Sequence, residues 1–549
     1  MRQTVVPKRF DDFIVEGLPG SSSQSSSLEE GNLLLSIDDE PMNFQEAIKE
    51  DHWKKAMDCE IASIEKNKTW KLVNPPPNVK PIGVKWVYKV KKDAKGSIIK
   101  YKARLVAKGY VQRFGIDYEE VLAPVARIET VRLMLALAAN RGWEVHHLDV
   151  KSAFLHGELK EDVYVHQPEG YVKRGQERQV YKLIKALYGL RQAPRAWNTR
   201  LDSALKELGF TRCKHEQAIY RRERNQRLLL VGTYVDDLIM IGATNQDIVD
   251  FKKQMEARFE MSDLGLLHYY LGIEVNQDVR GISIKQSEYA TKVLKQFGLW
   301  ESNSTQFPLD PGLKLTKKDE AKKTNPTEYR KVVGCLRYLT HTRPDLCYSV
   351  GYVSRFMQEP TQTHAQAVKQ ILRYLKGSID LGIFYLKGGT KTLHGFSDSS
   401  HSVDDDDGRS TTGVVFYYGD APITWSSQKQ STLALSSCEA EFMAATSAAC
   451  QALWLRGLLS EITGETEKVV TLRVDNLPAI ALMKNPVFHG RSKHIHTRYH
   501  FIRECVEREQ IKVEHVSGDL QRADILTKAL ARLKFIEMRG LIGVTRLGG

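Results

Sequence analysis

The stretch LLLVGTYVDDLIMI, residues 228–241, places two adjacent carboxylates, Asp236 and Asp237, between two apolar segments. These segments have the length and composition of buried strands, so the carboxylates are expected at a tight turn. Like charges at a partly desolvated turn raise each other's pKa and lower stability unless a cation neutralises them. A solvent-exposed hairpin turn is the alternative, but such turns favour Asn-Gly or Asp-Gly. The stretch therefore predicts a metal-binding turn.

A third carboxylate, Asp149, lies near the end of another apolar segment, HHLDV, residues 146–150. By itself, an Asp after a strand is commonly a helix N-cap. Together with Asp236 and Asp237 it completes a set that can hold two magnesium ions for in-line nucleotidyl transfer. These three residues are therefore the predicted catalytic and metal-binding residues of a first site.

The segments around these carboxylates resemble the reverse transcriptase of copia-type retrotransposon Pol polyproteins. The matches follow one another from about residue 43 to residue 535, and include KARLVAKG at 102–109, DVKSAFLHG at 149–157, LYGLRQAPRAW at 187–197, YVDD at 234–237, MSDLG at 261–265 and YLGIE at 270–274. The resemblance implies an α/β (α+β) fold. A right-hand polymerase of fingers, palm and thumb would be followed by a connection and a ribonuclease-H-like domain.

The resemblance also implies substrate-binding roles. Phe154 takes the place of an aromatic gate that excludes a ribose 2′-hydroxyl, and the alternative is a core aromatic. Lys102 and Arg104 would meet the incoming triphosphate from a hairpin of the fingers. Surface solvation is the alternative for a single lysine, but residues 85–113 carry ten basic residues against one acid.

Two further substrate-binding positions follow from the same resemblance. Gly189 belongs to the segment 187–197, which would pack the template–primer and the nascent base pair, and Tyr234 opens the YVDD turn. This chain departs from the retroviral form, because Tyr188 stands where that form has Gln before the Gly. Residues 262–275 would form a hairpin that grips the primer end.

A second acidic set lies downstream, on a predicted strand, helix, strand end and last helix: Asp398, Glu441, Asp475 and Asp524. This order resembles the quartet of ribonuclease H, which would hold two magnesium ions and cut a phosphodiester with water. Glu439 cannot point the same way as Glu441 on a helix, and the family pattern selects Glu441 in EFMA. His515 matches a loop His that helps the product leave, and a strand-end polar residue is the alternative.

Two polar clusters are interpreted without catalysis. The acids Asp404 to Asp407 are read as solvated charge in a loop. His494, His496 and His500 have basic neighbours and no Cys at ligand spacing, so a basic helix facing a hybrid backbone, or plain surface, is favoured over a metal site.

Composition bounds the partners. Lys and Arg number 80 against 67 Asp and Glu, a net charge of +13 that favours a polyanion such as nucleic acid.

The 7 Cys form no C-x-x-C pair, which indicates a reducing compartment. No apolar run is long enough to span a bilayer, and no signal peptide is apparent. The family implies a cytoplasmic protein, with a nuclear phase as a further stage.

The predicted divisions are a disordered linker over 1–41, fingers and palm over 42–260, thumb and connection over 261–390, ribonuclease H over 391–535 and a tail over 536–549. The final helix is expected from about Arg522. Implied partners are an RNA template, a DNA primer, the RNA–DNA hybrid and deoxynucleoside triphosphates. The ions would be Mg²⁺, two per site, with Mn²⁺ as the substitute.

Other functions remain open to the sequence. One is a catalytically silent transposon remnant or a domesticated nucleic-acid-binding scaffold, against which all seven carboxylates are present. Another is an RNA-dependent RNA polymerase, which Phe154 and the second acidic set disfavour. No zinc knuckle and no Asp-Thr/Ser-Gly protease signature is visible, so the protease and integrase of a whole element would be separate upstream products that could act as partners. The chain is expected to be either a processed product or a truncated copy.

Overall fold

The computed structural model describes residues 40–77, 79–92, 98–401, 404–466, 468–484 and 501–548. These residues form two compact units: an N-terminal unit of 40–126 with 146–265, and a C-terminal unit of 127–145 with 266–548. Both units combine helices and strands, which confirms the mixed α/β prediction. Most of the predicted linker and the residues His494, His496 and His500 lie outside the described residues.

One helix of the N-terminal unit has apolar residues at helical spacing. Trp53, Met57 and Ile64 recur on one face of the helix Asp51–Lys66 and are fully buried. The unit also contains the predicted hairpin Val84–Lys92 with Ile98–Ala107, and a three-stranded sheet in the order Trp70–Val73, Val180–Lys185, Glu158–Val165. Its other helices are Phe44–Ala47, Ala193–Glu207 and Asn245–Glu256.

A six-stranded sheet carries the acidic turn. Its order is Met261–Leu266, Val145–Val150, Asp237–Gly242, Arg227–Tyr234, Ile219–Arg224, Thr211–Arg212. The helices Ala193–Glu207 and Asn245–Glu256 bury Trp197 and Phe251 against strand residues that include Val231 and Met240. Because this core fixes the central strands, the loops at their ends are held in place.

The C-terminal unit contains one sheet in the order Tyr269–Tyr270, Ile273–Asp278, Gly281–Lys285, Leu381–Leu386, Val544–Arg546. The helix Ile128–Arg141 belongs to this unit, and twelve of its residues are buried. It ends at Gly142, whose left-handed backbone (φ 67°) caps the helix. Residues 536–549 are expected to be a tail, yet they include the end of the helix Arg532–Leu541 and the edge strand of this sheet.

A second sheet of the C-terminal unit has the order Ala421–Lys429, Thr411–Tyr418, Leu393–Ser400, Val470–Val474, Ile511–His515. The first three strands are antiparallel, and the last two run parallel to Leu393–Ser400. The Ala-rich helix Ser437–Thr463 packs against this sheet. The remaining helices of the unit are Ser287–Gln296, Pro326–Leu339, Cys347–Val353, Gln362–Lys376, Leu477–Lys484 and Phe501–Glu507. Among the helices described, none combines the length and apolarity needed to cross a bilayer.

Two local predictions are wrong. No helix starts at Arg522: Asp524–Leu526 is a single 3₁₀ turn, and the last helix is Arg532–Leu541. The turn brings Thr527 to Asp398, to which its hydroxyl donates a hydrogen bond, so a tertiary contact replaces helical continuation. The interpretation of Asp404 as solvated charge also fails, because Asp404 is 4% exposed and pairs with Arg355 and Lys429 at 2.7 Å each.

A buried ion pair joins several elements of the C-terminal unit. Arg343 donates to both carboxylate oxygens of Asp345, at 2.9 and 2.8 Å, and to the carbonyl of Ser378 at 2.7 Å. The hydroxyl of Tyr374 donates to Asp345 at 2.6 Å, and Arg539 donates to that hydroxyl at 3.2 Å. Since both charged side chains are almost fully buried, each needs the opposite charge of the other to offset its loss of hydration.

Removing the charge of Asp345 should therefore destabilise the unit. We expect Asp345→Asn to lower the free energy of unfolding by about 3–5 kcal/mol, because Arg343 is left buried and uncompensated. Denaturant-induced unfolding measures this change. The matched control is Glu359→Gln, which breaks an exposed pair with Lys323 and should change the value by less than about 0.5 kcal/mol. Equal effects of the two substitutions would contradict the prediction.

Candidate metal-binding sites

The first acidic site consists of Asp149, Asp236 and Asp237. Asp237 pairs with Tyr234 across the antiparallel strands, so Val235 and Asp236 form a two-residue turn. Val235 has φ 55°, a left-handed conformation that is strained for a β-branched residue. The indole of Trp197 donates a hydrogen bond of 2.6 Å to the Val235 carbonyl and holds this turn. The chain thus forms the turn without glycine, through a tertiary contact.

Backbone pairing sets Asp149 beside the turn. The amide of Val150 donates to the Asp236 carbonyl at 2.9 Å, which links the end of the strand Val145–Val150 to the turn. His147, two residues before Asp149, places its Nε2 atom 2.8 Å from Asp237 Oδ1. His147 is not among the predicted site residues, although its alternation with Asp149 along the strand puts both side chains on the same face.

The carboxylates of this site repel one another. Burial, followed by the charges of Asp237 and Asp149, raises the pKa of Asp236 to about 6. Burial and the charge of Asp237 also raise the pKa of Asp149, although Lys102 opposes the shift. Without a cation, Asp236 and Asp149 therefore bind a proton more readily than free carboxyl groups do. A divalent cation would relieve the same repulsion.

Asp149 and Asp236 line a cleft of 1110 Å³ in the N-terminal unit. Its lining is rich in cations: Lys55, Lys66, Lys91, Lys100, Lys102, Arg104, Lys151 and Arg258. Lys102 and Arg104 come from the strand Ile98–Ala107, as predicted for the hairpin. Burial, followed by the neighbouring charge of Arg104, lowers the pKa of Lys102. A cleft with acidic groups amid many cations suits a polyanion that brings its own metal ions.

The predicted substrate-binding residues differ in their surroundings. Phe154 lies with its ring centroid 5.1 Å from that of Tyr188, and the guanidinium of Arg104 lies 4.9 Å from the centroid of the Tyr188 ring. Arg104 and Tyr188 line the cleft, whereas Phe154 is partly buried against the core beside them. Tyr234 is 7% exposed, and it does not line the cleft.

Gly189 has a packing reason for being glycine. Its φ is +88°, and an added Cβ would lie 2.2 Å from the carbonyl oxygen of Ala107. Gly109 meets Gly189 from the other side, since its own added Cβ would lie 2.0 Å from the Gly189 oxygen. The two glycines let the segment 187–197 cross the end of the hairpin closely, which sets Tyr188 in the cleft.

The second acidic site consists of Asp398, Glu441, Asp475 and Asp524. Asp398, Asp475 and Asp524 each have a carboxylate oxygen within 4.8 Å of those of the other two. In the described part of the chain, no other three His, Cys, Asp or Glu side chains lie so close together. Asp398 lies on the strand Leu393–Ser400 and Asp475 directly follows the parallel strand Val470–Val474. The 3₁₀ turn Asp524–Leu526 supplies the third carboxylate.

Glu441 joins this group from the helix Ser437–Thr463. Its Oε1 accepts a hydrogen bond of 2.9 Å from the Ser399 amide, while its Oε2 is buried and receives no donor. Burial, followed by the charges of Asp398 and Asp475, raises the pKa of Glu441. Glu439 instead accepts from the Leu435 amide near the start of the helix. The geometry thus separates the two glutamates as the helical spacing predicts.

Residues beyond the predicted quartet also contact it. Lys528 lies 3.0 Å from Asp524 Oδ1. Gln521 hydrogen-bonds Asp475 and donates a further hydrogen bond of 3.0 Å to the Ser397 carbonyl. Lys528 follows Asp524 by four residues, a spacing that could have revealed it. His515 ends the strand Ile511–His515 opposite Val474, with an exposed side chain.

The atoms available to coordinate a metal ion at both sites are carboxylate oxygens, the ligands that Mg²⁺ and Mn²⁺ prefer. At the second site, the orphaned Glu441 Oε2 and the crowding of three further carboxylates fit a bound cation. At the first site, the raised pKa of Asp236 supports the same reading. The second site therefore has both the ligand type and the close grouping that a divalent cation requires, whereas the first site, among the described residues, has the ligand type without so close a grouping.

Comparison with known proteins gives consistent matches. Residues 67–311 match the family described as reverse transcriptase (RNA-dependent DNA polymerase). The chain is 40% identical over 514 residues to the retrovirus-related Pol polyprotein from transposon RE1 of Arabidopsis thaliana, covering 93% of this chain and 35% of that protein. A putative transposon Ty5-1 protein of Saccharomyces cerevisiae is 33% identical over 303 residues, 54% of this chain and 98% of that protein.

A third relative is the retrovirus-related Pol polyprotein from transposon TNT 1-94 of Nicotiana tabacum, 38% identical over 525 residues. The match covers 93% of this chain and 39% of that polyprotein. The chain thus spans little more than a third of the length of these two polyproteins.

The raised pKa of Asp236 predicts a pH dependence of the metal-free protein. Between about pH 4 and pH 6 the folded protein holds a proton that the unfolded chain releases, so stability falls as pH rises through this window. We expect Asp236→Asn to be more stable than the unmutated protein above pH 6 in EDTA, with the difference vanishing near pH 4. Thermal unfolding measures both, with Asp250→Asn, at an exposed helix position, as the control. Equal stability of Asp236→Asn and the unmutated protein at pH 7 would contradict this.

Proposed function

Because the chain belongs to the copia-type retrotransposon Pol family of reverse transcriptases, we propose that it copies RNA into DNA at the first acidic site and cleaves the RNA of the resulting hybrid at the second. The observation that carries the proposal is the presence of two carboxylate clusters, each gathered from separate segments of the chain. Two-metal phosphoryl transfer needs such clusters.

At the first site, Asp149, Asp236 and Asp237 would hold two Mg²⁺ ions. The chemistry that bound ions supply there is activation of the primer 3′-hydroxyl and stabilisation of the leaving pyrophosphate. His147 orients the Asp237 carboxylate through its 2.8 Å contact. Lys102 and Arg104 would bind the triphosphate, since both line the cleft and stay near the acidic turn. The deoxynucleoside triphosphate, the RNA template and the DNA primer are the proposed substrates.

Phe154 is proposed to select the sugar. Its ring packs on Tyr188, which is held in turn by Arg104 at a cleft wall. A ring supported in this way cannot withdraw easily, so it would exclude a ribose 2′-hydroxyl by steric contact. Gly189 contributes indirectly, by letting its segment cross the hairpin. Tyr234 is buried at the end of its strand. It would therefore support the acidic turn from within the core rather than contact the substrate.

At the second site, Asp398, Glu441, Asp475 and Asp524 would hold two Mg²⁺ ions, and water would attack the RNA phosphodiester. The sheet with three antiparallel and two parallel strands supports a ribonuclease-H-like domain over 391–535. His515 is exposed, and it pairs across the sheet with Val474, the residue before Asp475. It is proposed to assist product release. We assign fingers and palm to 42–260 and thumb and connection to 261–390.

The remaining proposals follow from the family. The protein acts inside the cell, with cytoplasmic synthesis and a nuclear phase, and upstream Pol products such as protease and integrase are further partners. Mn²⁺ would substitute for Mg²⁺ because it shares the preference for carboxylate oxygen.

Substitutions should separate the two activities. On poly(rA)·oligo(dT) with Mg²⁺, we expect Asp236→Asn to reduce dTTP incorporation by roughly a hundredfold or more, and Asp475→Asn to remove cleavage of hybrid RNA while synthesis continues. The controls Asp250→Asn and Asp519→Asn change exposed carboxylates and should retain both activities. No template-dependent incorporation by the unmutated protein would favour a silent nucleic-acid-binding scaffold. Loss of synthesis in Asp475→Asn would refute the division into two sites.

The sugar gate gives a further prediction. We expect Phe154→Ala to raise the relative efficiency of rUTP against dTTP by roughly 10- to 100-fold, because the steric barrier to the 2′-hydroxyl disappears. Steady-state incorporation of each nucleotide by the same preparation measures the ratio. Phe154→Tyr keeps the ring and should keep the discrimination. An unchanged ratio in Phe154→Ala would show that this ring belongs only to the core.

A further inference from the structure

Lys528 is the residue of the second acidic site whose role neither the fold nor the proposed chemistry explains. Its Nζ atom lies 3.0 Å from Asp524 Oδ1, and its side chain is 44% exposed while that of Asp524 is 11% exposed. The same ammonium interacts electrostatically with Asp398 and Asp475. Lys528 thus interacts with three carboxylates of the quartet, and its own side chain is partly exposed.

The quartet poses an electrostatic problem when no metal ion is bound. Three carboxylate oxygens lie within 4.8 Å of one another, and Glu441 adds a fourth group whose Oε2 has no donor. The Thr527 hydroxyl and the Ser399 amide each donate one hydrogen bond, to Asp398 and to Glu441 respectively. Neutral donors reduce this repulsion only partly, so a nearby cation stabilises the fold further.

We propose that Lys528 is an internal counter-cation of the second acidic site, which neutralises part of the carboxylate charge in the ion-free protein and competes with the incoming divalent ion. The inference rests on the proposed nuclease function of this site. A lysine suits the role because its ammonium is a point charge on a flexible stem. Its half-exposed side chain can move toward solvent when a divalent cation binds, whereas a fully buried arginine could not.

Two opposite effects follow from this role. In the ion-free protein the ammonium stabilises the fold, because it lowers the repulsion among the carboxylates. In the presence of Mg²⁺ it weakens the metal affinity, because the ion must displace a favourable interaction. A purely structural lysine would produce the first effect without the second, so the metal dependence distinguishes the two roles.

The test is thermal unfolding of the full chain, without nucleic acid, over a titration of MgCl₂. The parent carries Asp236→Asn and Asp237→Asn, which leaves the first site with one carboxylate and assigns the Mg²⁺ response to the second. We expect Lys528→Met to lower the Tm in EDTA and to lower the half-saturating Mg²⁺ concentration by about two- to fivefold, the range that a partly exposed ion pair contributes.

Two further variants complete the experiment. Lys534→Met removes a lysine that pairs with Asp519 and Glu537 at 3.3 and 3.2 Å, and it should leave the Mg²⁺ dependence unchanged. Lys528→Arg keeps the positive charge and should respond to Mg²⁺ as the parent does. If Lys528→Met is unfolded in EDTA, recovery of the folded state on addition of Mg²⁺ supports the proposal, and failure to recover at saturating Mg²⁺ overturns it.

Each remaining outcome decides a separate point. An unchanged half-saturating concentration in Lys528→Met overturns the role of Lys528 and leaves the proposed nuclease site standing. A shift in Lys528→Arg as large as in Lys528→Met also overturns it, because the charge would then be irrelevant. No Mg²⁺-dependent shift in the parent overturns both this inference and the proposed metal-dependent nuclease.

Discussion

The repulsion between buried carboxylates is the constraint on which both sites depend. At each site the backbone brings acidic side chains from distant parts of the sequence into one place, and partial desolvation strengthens their mutual repulsion. Such an arrangement lowers the stability of the ion-free fold, so it persists only because the surrounding core holds the strands in place. The same concentration of negative charge would attract a divalent cation, and this attraction is the basis of the proposed function.

The two sites answer this constraint differently. The first is an open cleft, in which a hydrogen bond from Trp197 holds a strained turn and the cations of the hairpin face the carboxylates at longer range. The second is a compact group, in which Thr527 and the Ser399 amide donate to the carboxylates and Lys528 pairs with Asp524 directly. An open basic cleft suits a long polyanion with a triphosphate, whereas a compact group suits hydrolysis of one phosphodiester.

Local pattern accounts for several elements because each has a short-range physical cause. The helix Asp51–Lys66 follows the apolar spacing of its buried face, and the helix Ile128–Arg141 ends where Gly142 can adopt positive φ. The predictions fail where a distant partner outweighs local preference. Asp404 is buried because Arg355 and Lys429 neutralise its charge. Both partners are distant in the sequence, so the residues next to Asp404 do not predict them.

The sequence by itself determined which acidic residues are candidates for metal binding: the acidic turn at 236–237, Asp149, and the choice of Glu441 over Glu439, since strand flanks and helical spacing are local properties. Only the tertiary structure decided how those residues are supported. The contact of His147 with Asp237, the support of the turn by Trp197 and the approach of Lys528 to the quartet all join segments through packing. Such contacts depend on the register of whole strands and on core packing, which no short window of sequence specifies.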